Sequence, residues 1–595
     1  MIRLDIESGT GPRRIDLFSY LEPADEERAQ EDAYAWIKAV RHLRVDGQRF
    51  RSRFTLRGDS LWWFAELYLN KQQAILTVLR ALSAFATMAD RERPLAVTCE
   101  DRAYGGVIAQ AAAARRIRYA GAGWPSETGR LLRMEARASA LAAAARLSRL
   151  RAGRADDRQV AIAAFVHRAF WRSGVEDGSA ESYIGPVLRE LEAQVGPPDI
   201  RYVGVGPRSN FRARRWWDPI APEAGAGSVP VERYAPWPAL AAARALYRER
   251  HAIRRAMWGS ADLREHAVIR GCDCWPLVRH QLAGIALLQF TWSARAMDEA
   301  AAALDRLRPK IAVTYAEAGG WGRALALECR RRGVPLAGLQ HGFIYRHWLN
   351  YRHEPDEAQP DPDNASDRGF PFPASTLLFD ERTADHLTSV GRFPPSALQV
   401  TGSPRLDEMQ ASIRALAPDA VDAARQQAGA AGRALVVFAA KEREARRSLP
   451  ALIAAVRAMP DVQLAIKPHP AETPEVYASA VSGAANVSVL PASAALAPLL
   501  AAAQAIVTVN STVAIDGLTL GVPSLVIGLP NNLTPFVDAG LMAGGRTEEE
   551  IRDGLARVLY DQEFRSRIQR SRGTEGGRPA AARSAEAILR MTGAK

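Results

Sequence analysis

The feature that most constrains the fold is an alternation, run through twice, of short apolar segments with amphipathic helical stretches. In a first pass the chain reads Val160–Val166, a helical stretch Tyr183–Val195, Ile200–Val205, helices through the 240s to 300s, Lys310–Tyr315, a helix over Trp321–Arg332, and Pro335–Leu339. A second pass gives Leu435–Ala439, helix Ser448–Ala458, Val462–Ile466, a helix through the 470s, and Val487–Leu490. It continues with helix Ala494–Ala503, Ala505–Val509, helix Thr512–Leu520, Ser524–Ile527 and closing helices from Glu548. Apolar runs of strand length between helices predict parallel sheets covered on both faces. The fold class expected is therefore α/β, with two facing doubly wound Rossmann-like domains.

Length adds a further piece. At 595 residues the chain exceeds what one hydrophobic core supports. Residues 1–155 form an extra N-terminal α/β region: a strand-like Pro94–Asp101, a helix Tyr104–Arg115, a strand-like Ile117–Ala120, and an Ala- and Arg-rich connecting helix over 131–155. Earlier, Gly58–Phe64 opens an aromatic-rich helix with Asp59 or Ser60 as its cap. The doubly wound domains then occupy 156–405 and 406–595. Asn350–Phe372, dense in Pro, Asp and Asn, reads as a loop, and a mobile one.

Composition excludes several classes. Hydrophobic content of 48% with 24% charged residues describes a globular chain rather than a disordered one. No basic segment followed by an apolar one opens the sequence, and the longest apolar stretch, Ala495–Val509, is too short to span a bilayer. A cytoplasmic location is expected. Of the four cysteines, Cys99 and Cys329 read as buried small hydrophobes. Cys272 and Cys274 form one close pair without a matching second pair, short of a zinc signature, so no metal site is expected. The net charge of +12 comes largely from Arg130–Arg158 and Arg248–Arg255. These read first as solvated helix faces, with peripheral contact at the inner membrane as the other reading; with little aromatic interleaving, nucleic acid is not expected.

Three strand ends carry the candidate chemistry. Asn510-Ser511-Thr512 stands where a strand passes into a helix, so first-turn N–H groups and two hydroxyls face whatever lies beyond the strand, an arrangement suited to an anion. A plain helix cap is the alternative. Lys467-Pro468-His469-Pro470 ends another strand with a cation and an imidazole held in a proline-stiffened turn. Leu339-Gln340-His341-Gly342 places a histidine after a third, where Gly342 permits close backbone approach to a ligand. His341 has the titration range for acid–base work. Glu317, just past Lys310–Tyr315, is placed to orient His341 or to act as base itself. Glu100 and Asp101, at a strand end of the first region, are weaker candidates.

With those residues in view, the chain resembles the bacterial surface-polysaccharide glycosyltransferases of GT-B fold. The nearest in pattern are the capsule Kdo-transferases and polysialyltransferases and the CDP-glycerol glycerophosphotransferases. The resemblance rests on Gln340-His341-Gly342, the segment Val400–Asp407 with Ser403, Lys467–Pro470, and Asn510-Ser511-Thr512 with Asp516-Gly517 and Gly521-Val522-Pro523. It covers about Lys310–Ala556, under half the chain, and residues 1–155 match no family. It implies that His469, Ser511 and Thr512 hold the nucleotide phosphate of a donor, with Lys467, Asn510, Gly342 and Ser403 beside them. Two departures bear on this. Ser511-Thr512 replaces a Ser-Ser pair, which keeps both hydroxyls, and Gln340 stands where the glycerophosphotransferases have tryptophan, which favours a sugar donor.

The resemblance implies an inverting glycosyltransferase that moves a sugar from a CMP- or UDP-linked donor to a surface glycan or lipid-linked acceptor, with no cofactor beyond its substrates. No Asp-x-Asp motif sits at a strand end, so metal-independent transfer is expected. The alternatives are a non-hydrolysing nucleotide-sugar 2-epimerase, which would need several acids beside the sugar, and a non-catalytic glycan-binding scaffold.

Overall fold

The computed structural model describes residues 2–9, 11–121, 123–151, 153, 155, 157–171, 181–206, 227–315, 317–439, 441–469, 472–570 and 578–593. The chain divides into two compact units. The first comprises Met1–His341, His347–Val400 and Ala585–Lys595; the second comprises Gly342–Arg346 and Thr401–Ser584.

The first unit contains a seven-stranded sheet in the order Val229–Pro230, Ile200–Val205, Ile162–His167, Ile311–Tyr315, Leu336–Leu339, Ser375–Leu378, Leu398–Val400. Every neighbouring pair is parallel. Strands such as Ile311–Tyr315 and Leu336–Leu339 are buried along their whole length, as expected where helices cover both faces. The helices Phe290–Leu307 and Gly320–Arg332 pack there, their Ala- and Leu-rich faces meeting Phe165, Ala312 and Leu336. A smaller sheet runs Gly11–Asp16, Arg3–Ser8, Ala96–Cys99, Arg118–Tyr119. Its last two strands are parallel and joined by the helix Gly105–Ala114, the strand–helix–strand unit read from the sequence.

The acid-rich loop between Asn350 and Phe372 corrects the expectation of mobility. Glu357, Asp361 and Asp367 are buried, and each is held by a cation from the N-terminal region. Lys38 lies 2.7 Å from Glu357, Arg49 lies 2.6 Å from Asp361, and Arg51 lies 2.9 Å from Asp367. The Trp62 indole N–H also donates to Glu357, at 2.8 Å. Lys38 reaches Glu66 as well, at 2.5 Å, and Glu66 pairs with the buried Arg323. Acids that look solvated in the sequence are thus anchors for arginines some 300 positions away.

The aromatic helix begins at Trp62 rather than at the expected cap. Asp59–Ser60 forms a two-residue strand opposite Thr55–Leu56, and the Ser60 hydroxyl accepts from the Trp62 N–H at 3.1 Å. Asp59 instead pairs with Arg330 and Arg331.

The second unit is built on a six-stranded parallel sheet in the order Val487–Val489, Val462–Ile466, Ala434–Phe438, Ala505–Thr508, Ser524–Ile527, Ala543–Gly545. Val436, Leu464, Val507 and Leu525 join the helices Leu449–Arg457 and Glu548–Tyr560 in one core, while Leu435, Val437 and Leu499 pack on the opposite face. The stretch through the 470s is shorter than a full helix: a 3-10 turn Pro474–Tyr477 and one α-turn Ala478–Val481. Two doubly wound parallel sheets, one in each unit, establish the α/β class.

Candidate functional site

In an open parallel sheet, ligands bind beyond the carboxyl ends of the strands where the strand order reverses direction. In the first unit that switch lies between Ile162–His167 and Ile311–Tyr315. The ring of His341, just past the strand Leu336–Leu339 that neighbours Ile311–Tyr315, sits 5.2 Å from that of Tyr315 and 5.4 Å from that of Tyr183. Trp348 lies on a further side at 6.4 Å. Burial among these rings pushes the imidazole down to about 4, so it is neutral at pH 7.

Glu317 lies deeper. It is 3% exposed, and one carboxylate oxygen accepts from the Tyr351 hydroxyl at 3.2 Å. Among the described residues the other oxygen has no hydrogen-bond partner, and no hydrogen bond joins Glu317 to His341. Gly338 makes its position available: a Cβ there would stand 2.8 Å from Glu317 Cγ. Burial raises the Glu317 carboxyl to about 7. The two candidates are therefore tuned in opposite directions, with the carboxyl nearer the pH at which proton transfer is efficient. Ala316, between strand and acid, lies outside the described residues.

A second acid at these strand ends was not singled out in the sequence. Glu181 is buried and accepts the backbone N–H groups of Tyr183 at 2.8 Å and Ile184 at 2.5 Å. Burial raises its carboxyl, and it faces the Tyr315 side chain, whose hydroxyl accepts from the His167 N–H at 3.1 Å. Its only sequence signal is a place ahead of an apolar helix, which any capping acid shares. Glu100 and Asp101 follow the strand Ala96–Cys99 of the separate four-stranded sheet: Asp101 caps its own turn through the Ala103 N–H, and Glu100 pairs with Arg14.

In the second unit the switch lies between Ala434–Phe438 and Ala505–Thr508. The Thr508 hydroxyl donates to the Ala439 carbonyl and accepts from the Ser511 N–H, which bends the chain away from the strand. Asn510 accepts from the Asn532 N–H at 3.1 Å, and the Ser511 hydroxyl accepts from the Val513 N–H at 3.3 Å. These two side chains shape the turn. Thr512 opens the helix Val513–Leu520 without capping it through its hydroxyl, which leaves that group at a helix N-terminus.

Lys467 ends the neighbouring strand, and its ammonium donates to the carbonyls of Pro468 at 3.0 Å and Ala492 at 2.8 Å. It ties strand Val462–Ile466 to the segment before the helix Leu496–Ala502, and burial lowers its pKa. His469 is lowered first by burial, then by the charges of Lys441 and Lys467, with Glu472 acting the other way. Lys441, exposed just beyond strand Ala434–Phe438, is a cation that sequence reasoning passed over because an Arg- and Glu-rich segment hides it. Pro470 lies outside the described residues.

The remaining candidates separate from these. Ser403 is buried and accepts from the Leu406 N–H at 3.4 Å as the cap of helix Pro404–Arg414. Arg405 of that helix forms a two-pronged ion pair with the buried Asp516 of helix Val513–Leu520. Gly342 belongs to a segment grouped with the second unit, where Phe343 packs on Phe536; a Cβ at Gly342 would meet nothing within 4 Å. Among the described residues Glu27, Glu31 and His347 are close enough to share a cation, but Arg352 and His347 already pair with those acids.

No protein-family model matches the sequence, and no curated protein matches it. Among solved structures, the chain is similar to a UDP-N-acetylglucosamine 2-epimerase at 14% identity and a TM-score of 0.42, over 73% of this chain and 97% of that one. It is similar to the UDP-GlcNAc 2-epimerase from Neisseria meningitidis bound to UDP-GlcNAc at 11% identity and a TM-score of 0.41, over 72% and 98%. The glycotransferase of kitacinnamycin is similar at 15% identity and a TM-score of 0.39, over 73% and 99%. Likeness at this level says nothing about what this chain acts on.

Proposed function

We propose that this chain is a nucleotide-sugar enzyme, and specifically a glycosyltransferase transferring from a CMP- or UDP-linked donor to a glycan or lipid-linked acceptor hydroxyl. The observation that carries the reading is the placement of polar groups at strand ends at and beside the switch points of both parallel sheets, with opposite character. The second unit offers Lys441, His469, the Thr512 hydroxyl and a helix N-terminus, a set suited to phosphate. The first offers His341 and Glu317, one neutral imidazole and one carboxyl near neutrality, a set suited to moving a proton.

In this mechanism the leaving phosphate is stabilised by His469, Thr512 and the helix terminus, with Lys441 contributing charge from the neighbouring strand end. Lys467 acts by holding the Pro468–His469 turn, since its ammonium is already engaged with two carbonyls. His341 or Glu317 takes the acceptor proton. Incubation with CMP-, UDP-, GDP- and CDP-linked donors tests the reading: binding of a pyrimidine nucleotide weakened by His469→Ala supports it, and no binding or turnover with any donor defeats it.

The epimerase reading is favoured by one observation. Glu181 gives the first unit a second buried carboxyl with a raised pKa, and proton transfer at a sugar carbon needs more than one acid. Deuterium uptake from solvent at carbon 2 without an acceptor would select it over transfer.

A further inference from the structure

The long helix Glu127–Arg151 has two apolar faces. Its inner face is buried at Met134, Ala138 and Ala145, each under 9% exposed, with Met134 packed against Ala283 and Leu287, while Leu141 on that side is 40% exposed. Its outer face is also apolar. Leu132 is 65% exposed, Leu147 48% and Leu150 72%, and all three count among the exposed large hydrophobic residues of the described chain. At 3.6 residues per turn, Leu132, Ala136, Ala143, Leu147 and Leu150 share an arc of roughly 60°.

The rims of this stripe are cationic. Arg133 and Arg137 lie along one side and Arg146 along the other, all exposed. Arg133 and Arg137 form no ion pair among the described residues, and Arg146 rests on the Trp237 ring. The helix's two acids are engaged away from the stripe: Glu127 with Arg279, and Glu135 with Arg250 and His251. Those last contacts, with the Ser139–Tyr247 hydrogen bond, run the helix Ala241–Gly259 antiparallel alongside. That helix adds the exposed Arg248 and Arg255 to the same cationic border.

An exposed leucine stripe between arginines, with no acid on it, matches an anionic bilayer surface: acyl chains accept the leucines while headgroup phosphates accept the guanidinium groups. We propose that the outward face of Glu127–Arg151 docks this protein on an anionic lipid membrane, lying in the interface rather than crossing it. No described helix is long and apolar enough to span. Nucleic acid would use the arginines and leave the leucines in water, so the leucines decide between the two polyanions.

The test is co-sedimentation of the full chain with phosphatidylcholine vesicles, with and without one quarter phosphatidylglycerol. Binding is expected only to the anionic vesicles, falling steeply between 0.05 and ~0.5 M salt as the charges are screened. Arg133→Gln with Arg137→Gln should weaken it about 25-fold, at roughly fivefold per arginine. Leu132→Ser, Leu147→Ser and Leu150→Ser together should weaken it at least tenfold, with an unchanged circular dichroism spectrum showing that the helix persists. Equal binding to neutral vesicles, or no binding to either, overturns the proposal. So does a leucine-dependent dimer by light scattering, or binding to duplex DNA that matches vesicle binding and ignores the leucine changes.

Discussion

Glu317 offers the sharpest test of the site, because its burial has a thermodynamic signature independent of any substrate. A carboxyl raised to about 7 in the folded chain, from 4.5 when unfolded, binds more protons folded than unfolded between those values. Stability is therefore full below about pH 4.5 and is lost as the pH climbs to about 7. A shift of about 2.5 units is worth about 3 kcal/mol at 1.36 kcal/mol per unit, and at 3% exposure no solvent discount applies. Glu317→Gln keeps the acceptor for the Tyr351 hydroxyl and removes the titration. The variant should match the parent at pH 4.5 and exceed it above pH 7.5. For a unit of roughly 400 residues, with an unfolding entropy of about 2 cal/mol/K per residue, that gain raises the melting temperature about 3–4 °C. Differential scanning calorimetry across pH 4.5–8.5, following the transition of the first unit, measures it. Curves for parent and variant that stay parallel at every pH, or a variant that loses ground as pH rises, would refute a buried, uncompensated Glu317.

Other outcomes follow from the second unit. Arg405→Ala strands the carboxylate of Asp516 in a buried position and should destabilise that unit by about 3 kcal/mol, whereas Arg405→Met with Asp516→Leu should recover most of it; chemical denaturation reads both. Lys467→Met should lower the melting temperature of the second unit more than its nucleotide affinity, because the ammonium serves the carbonyls of Pro468 and Ala492. His469→Ala and Thr512→Val should each weaken nucleotide binding about tenfold by titration calorimetry, near 1.4 kcal/mol, with unchanged melting. If Ser511→Ala proves as costly to binding as Thr512→Val, the assignment of the Ser511 hydroxyl to the turn is wrong.

The parallel sheets were legible because their strands are mostly buried and dominated by Val, Ile, Leu and Ala: Ile200–Val205, Val462–Ile466 and Ser524–Ile527 match the reading residue for residue. Helix ends were legible where a stop residue stands, as at Gly333 after Gly320–Arg332. What the sequence concealed is how polar groups are spent. Lys467, Ser403 and Asp516 occupy motif positions that suggest ligand contact, yet each is consumed by a carbonyl, a helix cap or an ion pair. Spacing along the chain does not record which partner reaches a donor first, and that partner is set by tertiary contacts. Glu181 was missed for the converse reason: a residue ahead of a helix looks like a cap, and only burial beside Tyr315 gives it chemistry.

The N-terminal region gains a physical role from the same accounting. Four of its basic residues are not part of any free cationic surface: Arg41, Arg49, Arg51 and Lys38 are matched to Asp356, Asp361, Asp367 and Glu357 of the loop before strand Ser375–Leu378. The buried charges among them, Lys38 with Glu357 and Arg51 with Asp367, cost several kcal/mol each to desolvate and persist only as complete pairs. The loop acids and the N-terminal bases are thus joined as a single structural element. Lys38 makes the point most strictly, since it stands between two fully buried carboxylates, Glu66 and Glu357. Lys38→Met leaves Glu357 without an ion pair, while Glu66 keeps Arg323, and should unfold the loop together with the helix Pro23–Ala39, detected as simultaneous loss of amide-exchange protection in the two segments. Loss confined to the N-terminal helix, with the loop still protected, would show that the loop holds its shape without its cations.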